Sequence, residues 1–157
     1  MAIGELCSRE VVFVDRNDSV ADAARLMREH HIGSVVVAER EGVRLAPVGM
    51  ITDRDVAVGV VALGSDPEKT PVEGAMRASV VCVRESEGVG RAVELMRAHG
   101  VRRLPVVDAA GSLVGLLAAD DLLDLFAVEI SGLAGMLVRG TRREREERRL
   151  RQPAAAA

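Results

Sequence analysis

Short apolar runs alternate with stretches of helical periodicity along the first 63 residues of the chain. Runs of four or five β-branched or small apolar residues are typical of buried strands. Between Val20 and His30, apolar residues recur at intervals of three and four, which predicts an amphipathic helix with Ser19 as its N-cap. In chain order the predicted elements are strand Val11–Val14, helix Val20–His30, strand Ser34–Ala38, loop 39–45, strand Val48–Ile51 and helix Asp53–Leu63.

The same series recurs about 69 residues further along the chain. Ten of the 27 positions from Val11 to Val37 are identical to their counterparts at that offset, far above the level expected by chance. The second series predicts a strand at 80–83, helix Val89–His99, strands Leu104–Val107 and Leu113–Leu117, and helix Asp120–Ile130.

This duplication predicts an α+β fold built from two β-α-β-β-α modules. The modules would span residues 1–64 and 72–130, with a proline-containing linker at 65–71 and a helical extension at 131–157. Because a module of about 60 residues buries its own sheet poorly, we expect the two to pack sheet to sheet with pseudo-two-fold symmetry.

Composition excludes several classes of protein. Phe13 and Phe126 are the only aromatic residues, which argues against a base-stacking platform for single-stranded nucleic acid. Two cysteines, Cys7 and Cys82, make no disulfide or metal framework. No signal peptide or membrane-length apolar run is present, and arginine and alanine are abundant, so we expect a cytoplasmic, bacterial protein.

Charge is distributed unevenly along the chain. The net charge is −3, but residues 139–157 hold seven arginines and three glutamates, and the remainder carries −7. An acidic body is atypical of a nucleic-acid-binding domain, although the arginine-rich tail leaves an adaptor role open. We interpret the extension as a solvated helix or as a helix that docks a partner or a second copy, with frayed residues at 153–157.

A run with candidate binding chemistry begins at Gly49, where the third strand turns into a helix. Its Thr52 hydroxyl lies beside the free N–H groups of a helix start, and Asp55 could accept hydrogen bonds from a ribose diol. The same two residues also form an ordinary capping box. In the second copy Ala118 replaces the threonine while Asp121 is retained, so we expect one ligand per chain.

The repeat and this run, together with Val101–Asp108, resemble the CBS-domain family in its tandem form, the Bateman module, from Ile3 to Phe126. The resemblance implies a non-catalytic regulatory fold that binds an adenosine-containing ligand in a cleft between modules, with no further cofactor and no metal. AMP, ADP and ATP are the first candidates, and the sequence leaves NAD and S-adenosylmethionine open. It implies Asp55 for the ribose, Thr52 near the α-phosphate and Arg102 and Arg103 for phosphates. The candidate ligand-binding residues are Val12, Val36, Gly49, Met50, Thr52, Asp55, Arg102, Arg103 and Asp121.

Several of these residues have simpler interpretations. Val12, Val36 and Met50 would enclose the adenine because no ring but Phe13 is available, yet they are equally plausible core residues. Arg102 and Arg103 could be solvated side chains. We expect a homodimer through the second helices of the modules, with Val56, Val60, Leu122 and Phe126 in the interface, and an effector protein as partner. A constitutive dimerisation scaffold and a nucleic-acid adaptor are the alternatives.

Overall fold

The computed structural model describes residues 1–151, apart from the side chains of residues 138, 140–142 and 145–151, so the predicted fraying of residues 153–157 lies outside the described part of the chain. Residues Met1–Ala119 form one compact unit and a second begins at Asp120. The strands are β1 (Phe13–Val14), β2 (Ser34–Glu41), β3 (Arg44–Thr52), β4 (Val83–Arg84), β5 (Arg103–Val107) and β6 (Leu113–Ala118). The helices are α1 (Val20–Glu29), α2 (Asp53–Val56), α3 (Val89–His99) and α4 (Ala119–Arg151).

Two three-stranded sheets repeat one topology. In each, the first strand pairs in parallel with the second, and the second pairs antiparallel with the third. The register repeats as well, because Val14 pairs with Val37 and Val83 pairs with Val106 at the same 69-residue offset. The predicted α+β fold of two strand–helix modules is confirmed. We refer to the modules built on β1–β3 and on β4–β6 as the first and second module.

Several predicted element boundaries are wrong, and the first strand of each module is shorter than predicted, at Phe13–Val14 and Val83–Arg84. The loop expected at 39–45 is a hairpin, since Glu41 pairs with Arg44 and only two residues, Gly42 and Val43, make the turn. Gly42 has a φ of 64°, a left-handed conformation that glycine adopts at little cost. Polar residues extend these strands because backbone pairing does not require an apolar side chain.

The second helices also depart from expectation. Helix α2 ends at Val56 and continues as a π-helical turn over Ala57–Val61, whereas α4 runs for 33 residues to Arg151 instead of ending at Ile130. Val60 is wholly buried in the core of the first module, and Leu122 is 4% exposed. The prediction that these two residues belong to an exposed dimer face is therefore wrong.

The segments that precede each module cross to the opposite module. The N–H of Val72 donates to the Asp18 carbonyl over 2.8 Å, and the N–H of Ile3 donates to the Glu87 carbonyl over 2.9 Å. We call residues 2–8 and 71–77 the crossing segments. Val72 is wholly buried and belongs to the core cluster of the first module. The segment that precedes the second module therefore supplies part of the core of the first module.

A glycine in each module permits this close approach. A Cβ atom at Gly49 would lie 2.7 Å from Met76 Sδ and 2.9 Å from the Arg77 carbonyl oxygen, and one at Gly115 would lie 2.5 Å from Cys7 Sγ. Such separations are well inside van der Waals contact. The glycine that opens the sequence motif is therefore a packing residue, which places a crossing segment against β3.

Within residues 1–151, none of the helices combines the length and the apolar composition needed to cross a lipid bilayer.

Candidate ligand-binding cleft

A cleft of about 370 Å³ opens where β3 ends and α2 begins. This volume lies within the usual range of small-molecule sites. Met50 and Thr52 of β3 line one wall, and the segment Gly100–Arg103 that leads into β5 lines the other. The cleft therefore lies where the two modules meet, as the duplication predicts.

Positive charge dominates the lining. Four arginines, Arg54, Arg77, Arg102 and Arg103, face a single carboxylate, that of Asp53. Among the side chains that the structure describes, the guanidinium groups of Arg54, Arg102 and Arg103 take part in no hydrogen bond or ion pair. Planar guanidinium forks match the geometry of phosphate oxygens, so the cleft suits an anion of several charges.

The cleft lining includes one buried hydroxyl group, which has no partner among the described residues. Ser34 is 4% exposed, and its Oγ makes no hydrogen bond to any described residue. Burying a hydroxyl without a partner costs roughly 1–3 kcal/mol, so an unsatisfied one on a residue that lines a cleft is a candidate partner for an incoming polar group. Ser34 was not among the site residues predicted from the sequence, although the repeat aligns it with the candidate Arg103.

Thr52 and Asp55 form a reciprocal cap at the start of α2. The Thr52 hydroxyl accepts from the Asp55 N–H at 3.1 Å and donates to Asp55 Oδ2 at 2.6 Å, while the Thr52 N–H donates to the same oxygen at 3.0 Å. The other carboxylate oxygen, Oδ1, lies 3.6 Å from Arg77 Nε. Thr52 and Arg77 line the cleft, but Asp55 is not part of the lining. Arg77 would therefore compete with a ribose for Oδ1.

The structure brings Met50, Thr52, Arg102 and Arg103 together, and places the other candidates elsewhere. Val36 is wholly buried in the sheet between Phe13 and Met50, and Val12 packs against the core of the first module. Asp121 lies in the first turn of α4, within the unit that begins at Asp120. Lining the cleft does not show binding, so the ligand-binding roles of all nine candidate residues stay predictions.

Arg54 and Arg77 were also missed as site residues. Arg54 lies inside the recognised run, between Asp53 and Asp55, and its charge was a usable signal. Arg77 could not be found from the sequence, because it reaches the cleft only through the crossing of residues 71–77 to the first module, where its N–H donates to the Met50 carbonyl over 2.9 Å.

No group of three or more histidine, cysteine, aspartate or glutamate side chains is placed to hold a metal ion within residues 1–151. Cys82 is half-buried, and desolvation raises the pKa of its thiol from an ordinary 9.0 to about 11. A thiol with so high a pKa is almost wholly protonated near neutral pH, which makes it a poor nucleophile.

A duplicated strand–helix module with an arginine-lined cleft between its two copies defines a tandem-repeat α+β fold. The family model of the CBS domain matches twice, at residues 3–61 and 72–128, and the chain belongs to the CBS-domain family. It carries two CBS domains in tandem, which confirms the resemblance noted from the sequence.

Proteins of known sequence or structure that resemble this chain include other CBS-domain proteins. A protein from Methanopyrus kandleri is 36% identical over 125 residues, which cover 80% of this chain and 62% of that protein; the match thus spans less than two thirds of the relative. A CBS-domain protein from Pyrobaculum aerophilum complexed with AMP is 28% identical, with a TM-score of 0.70 over 78% of this chain and 90% of that one. The CBS-domain pair of protein MJ0100, in complex with 5-methylthioadenosine and S-adenosylmethionine, is 25% identical, with a TM-score of 0.71 over 82% and 98% of the two chains.

Proposed function

We propose that this protein is a non-catalytic regulatory module that binds an adenine nucleotide in the cleft between its two CBS domains and passes the signal to a partner protein. One observation carries the proposal. A cleft of nucleotide size is lined by four arginines and contains a buried Ser34 hydroxyl with no partner within residues 1–151. Structural relatives bind AMP or S-adenosylmethionine, which supports an adenosine-containing ligand.

The charge of the lining favours phosphorylated ligands over S-adenosylmethionine. Three of the four arginines make no ion pair with any side chain that the structure describes, and each would be stabilised by a phosphate oxygen. The sulfonium group of S-adenosylmethionine carries positive charge and would be repelled by the same side chains. We therefore expect AMP, ADP or ATP to bind more tightly than S-adenosylmethionine.

The transmission of the signal would use the crossing segment 71–77. Arg77 lines the cleft and holds Asp55, while Met76 one residue earlier packs against Gly49 of β3. A nucleotide that attracts Arg77 therefore pulls on a segment shared by the two modules. Such a ligand shifts a conformational equilibrium only by its difference in affinity between the two states.

Thermal denaturation with a panel of ligands tests the proposal. At 100 times its dissociation constant a nucleotide stabilises the folded state by about 2.7 kcal/mol, which raises the melting temperature by several degrees. The panel comprises adenosine, AMP, ADP, ATP and S-adenosylmethionine, with guanosine nucleotides as controls. An unchanged melting temperature throughout would favour a constitutive scaffold whose cleft no longer binds ligand.

Replacing Ser34 with alanine is expected to change stability and binding in opposite directions. Without ligand, Ser34→Ala removes an unsatisfied buried hydroxyl and should leave the free energy of unfolding unchanged or raise it by about 1 kcal/mol. With nucleotide, the variant lacks one hydrogen bond and should show a smaller thermal shift than the wild type. Chemical denaturation and calorimetry measure the two effects separately. A loss of stability without ligand would mean that Ser34 has a structural partner.

Asp55 tests whether ribose recognition can be separated from helix capping. Asp55→Asn keeps a side-chain oxygen that can accept from the Thr52 N–H, so we expect a stability loss near 1 kcal/mol or less. Its amide lacks the charge that holds Arg77, and it binds a diol less well than a carboxylate does. We expect nucleotide affinity to fall at least tenfold, measured by calorimetry, with Asp121→Asn as the repeat-matched control. Equal losses in the two variants would contradict one site per chain.

A further inference from the structure

An apolar row runs along α4 beyond the end of the second CBS domain. Leu123, Phe126, Ile130, Leu133 and Leu137 are spaced by three and four residues and are 64, 42, 65, 59 and 68% exposed. We call these five residues the α4 seam. Alternating intervals of three and four give a seven-residue repeat, the spacing that keeps one stripe of a helix facing a second helix.

A row of this kind requires a covering partner. Isolated exposed apolar residues are common on soluble proteins, but a contiguous apolar row marks an interaction surface. The seam extends past residue 128, where the family match ends, so it is a feature of this chain in addition to its CBS domains. It is also independent of the nucleotide cleft, whose lining ends at Arg103.

We propose that the α4 seam docks against the α4 seam of a second copy of this chain, with the two helices antiparallel. The charges along the helix select both the partner and the direction. Four acidic residues, Asp120, Asp121, Asp124 and Glu129, occupy its first eleven positions, whereas residues 139–151 hold seven arginines and three glutamates. In an antiparallel pair, the acidic N-terminal end of each α4, of charge −4, lies beside the basic C-terminal end of the other copy's α4, of charge +4.

The alternatives fit less well. A parallel pair would place like charges and like helix-dipole ends together at both termini. An anionic lipid surface would be repelled by the four carboxylates that accompany the seam from residue 120 to 129. A second copy supplies an apolar seam of the same length together with the complementary charges.

The spacing of the seam also sets a register. In antiparallel pairs the first apolar position of one heptad meets the second apolar position of the other helix. Phe126 of one copy would then face Leu137 of the other, and Ile130 would face Leu133. The two-fold axis would pass between Ser131 and Gly132. Glu144 would lie about 25 residues, or about 38 Å along the axis, from its equivalent in the other copy.

Sedimentation equilibrium of the full chain tests whether a second copy covers the α4 seam. We expect the wild type to have twice the mass of the 16.7 kDa chain, and Ile130→Glu with Leu133→Glu to raise the dissociation constant by about 100-fold or more. Val128→Glu is the matched control, since Val128 is 70% exposed on the same helix but lies off the seam. A monomeric wild type, or equal weakening by the control, would overturn the proposal.

Spin-label distances on an intact seam test the direction. A label at Glu144→Cys, in a chain with Cys7→Ala and Cys82→Ala, should report a separation near 40 Å for the antiparallel pair and about 10 Å for a parallel one. The short distance would overturn the antiparallel assignment. This measurement stands even if the glutamate variants fail to fold.

Co-sedimentation with phosphatidylglycerol vesicles tests whether the α4 seam binds an anionic lipid surface instead. Co-sedimentation of the wild type that is lost in the seam variant, together with a monomeric mass, would assign the seam to lipid and overturn the second-copy proposal. Absence of vesicle binding by a dimeric wild type supports it. The ligand panel is unaffected by either result, because the cleft lining contains no residue of α4.

Discussion

Replacing Arg102 and Arg103 together with methionine is expected to abolish the preference of the cleft for nucleotides over adenosine. Charge-assisted hydrogen bonds contribute roughly 1.5–3 kcal/mol each, so losing both should weaken ATP binding by at least 100-fold. Adenosine has no phosphate and should bind the variant and the wild type with similar, weak affinity. Methionine retains much of the apolar stem, so the wall of the cleft keeps its packing. Calorimetry with adenosine, AMP and ATP measures the change.

Two arginines outside the cleft provide the control. Arg28 and Arg97 occupy repeat-related, exposed positions on α1 and α3 and do not line the cleft. Replacing both with methionine removes the same charge from the chain and should leave nucleotide affinity within about twofold. If the Arg102 and Arg103 variant kept its preference for ATP, these residues would be surface groups and Arg54 and Arg77 would carry the phosphate.

Replacing Gly49 with alanine is expected to be the most destabilising single-atom addition in the first module. The new Cβ would lie 2.7 Å from Met76 Sδ and 2.9 Å from the Arg77 carbonyl oxygen. The sulfur can rotate away, but the carbonyl belongs to backbone that is hydrogen-bonded to Met50. Overpacking of this kind costs about 1–3 kcal/mol, and the melting temperature should fall accordingly. Nucleotide affinity should fall as well, because Arg77 is displaced from the cleft.

Gly59→Ala is the matched control in the same module. A Cβ at Gly59 would meet no atom within 4 Å, and alanine favours helical backbone over glycine by about 0.5–1 kcal/mol. This variant should be neutral or slightly more stable in chemical denaturation. Equal destabilisation by the two substitutions would show that the crossing segment yields to a methyl group without cost.

The repeat made most of the fold predictable. Helix α3 has the predicted bounds, Val89–His99, because its apolar positions, its glycine entry and Gly100 at its end all act within a dozen residues. The 39–45 loop was mispredicted for the opposite reason. Charged residues continue the strands there, and what holds them is backbone pairing across the hairpin, which side-chain patterns do not reveal.

The site divides in the same way. Thr52, Arg102 and Arg103 could be proposed from the sequence because charge and cap chemistry are visible in a short run, and the structure places all three in the cleft lining. Ser34 and Arg77 were missed because their importance depends on burial and on contacts with segments distant in the chain. Asp55 illustrates both levels. The capping box was predicted correctly, yet only the structure shows that Arg77 occupies its second oxygen.

The crossing segments make the two halves of the gene inseparable. A fragment that ends in the linker would contain β1 to β3 but not Val72. Its core would be open to solvent where the Val72 side chain packs in the full chain. The complementary fragment would lack Ile3, which is wholly buried and bonded through its N–H to Glu87. During synthesis, the first copy therefore cannot close its core until the ribosome has made the start of the second. Swapping one copy for that of a relative would have to exchange both crossing segments along with it.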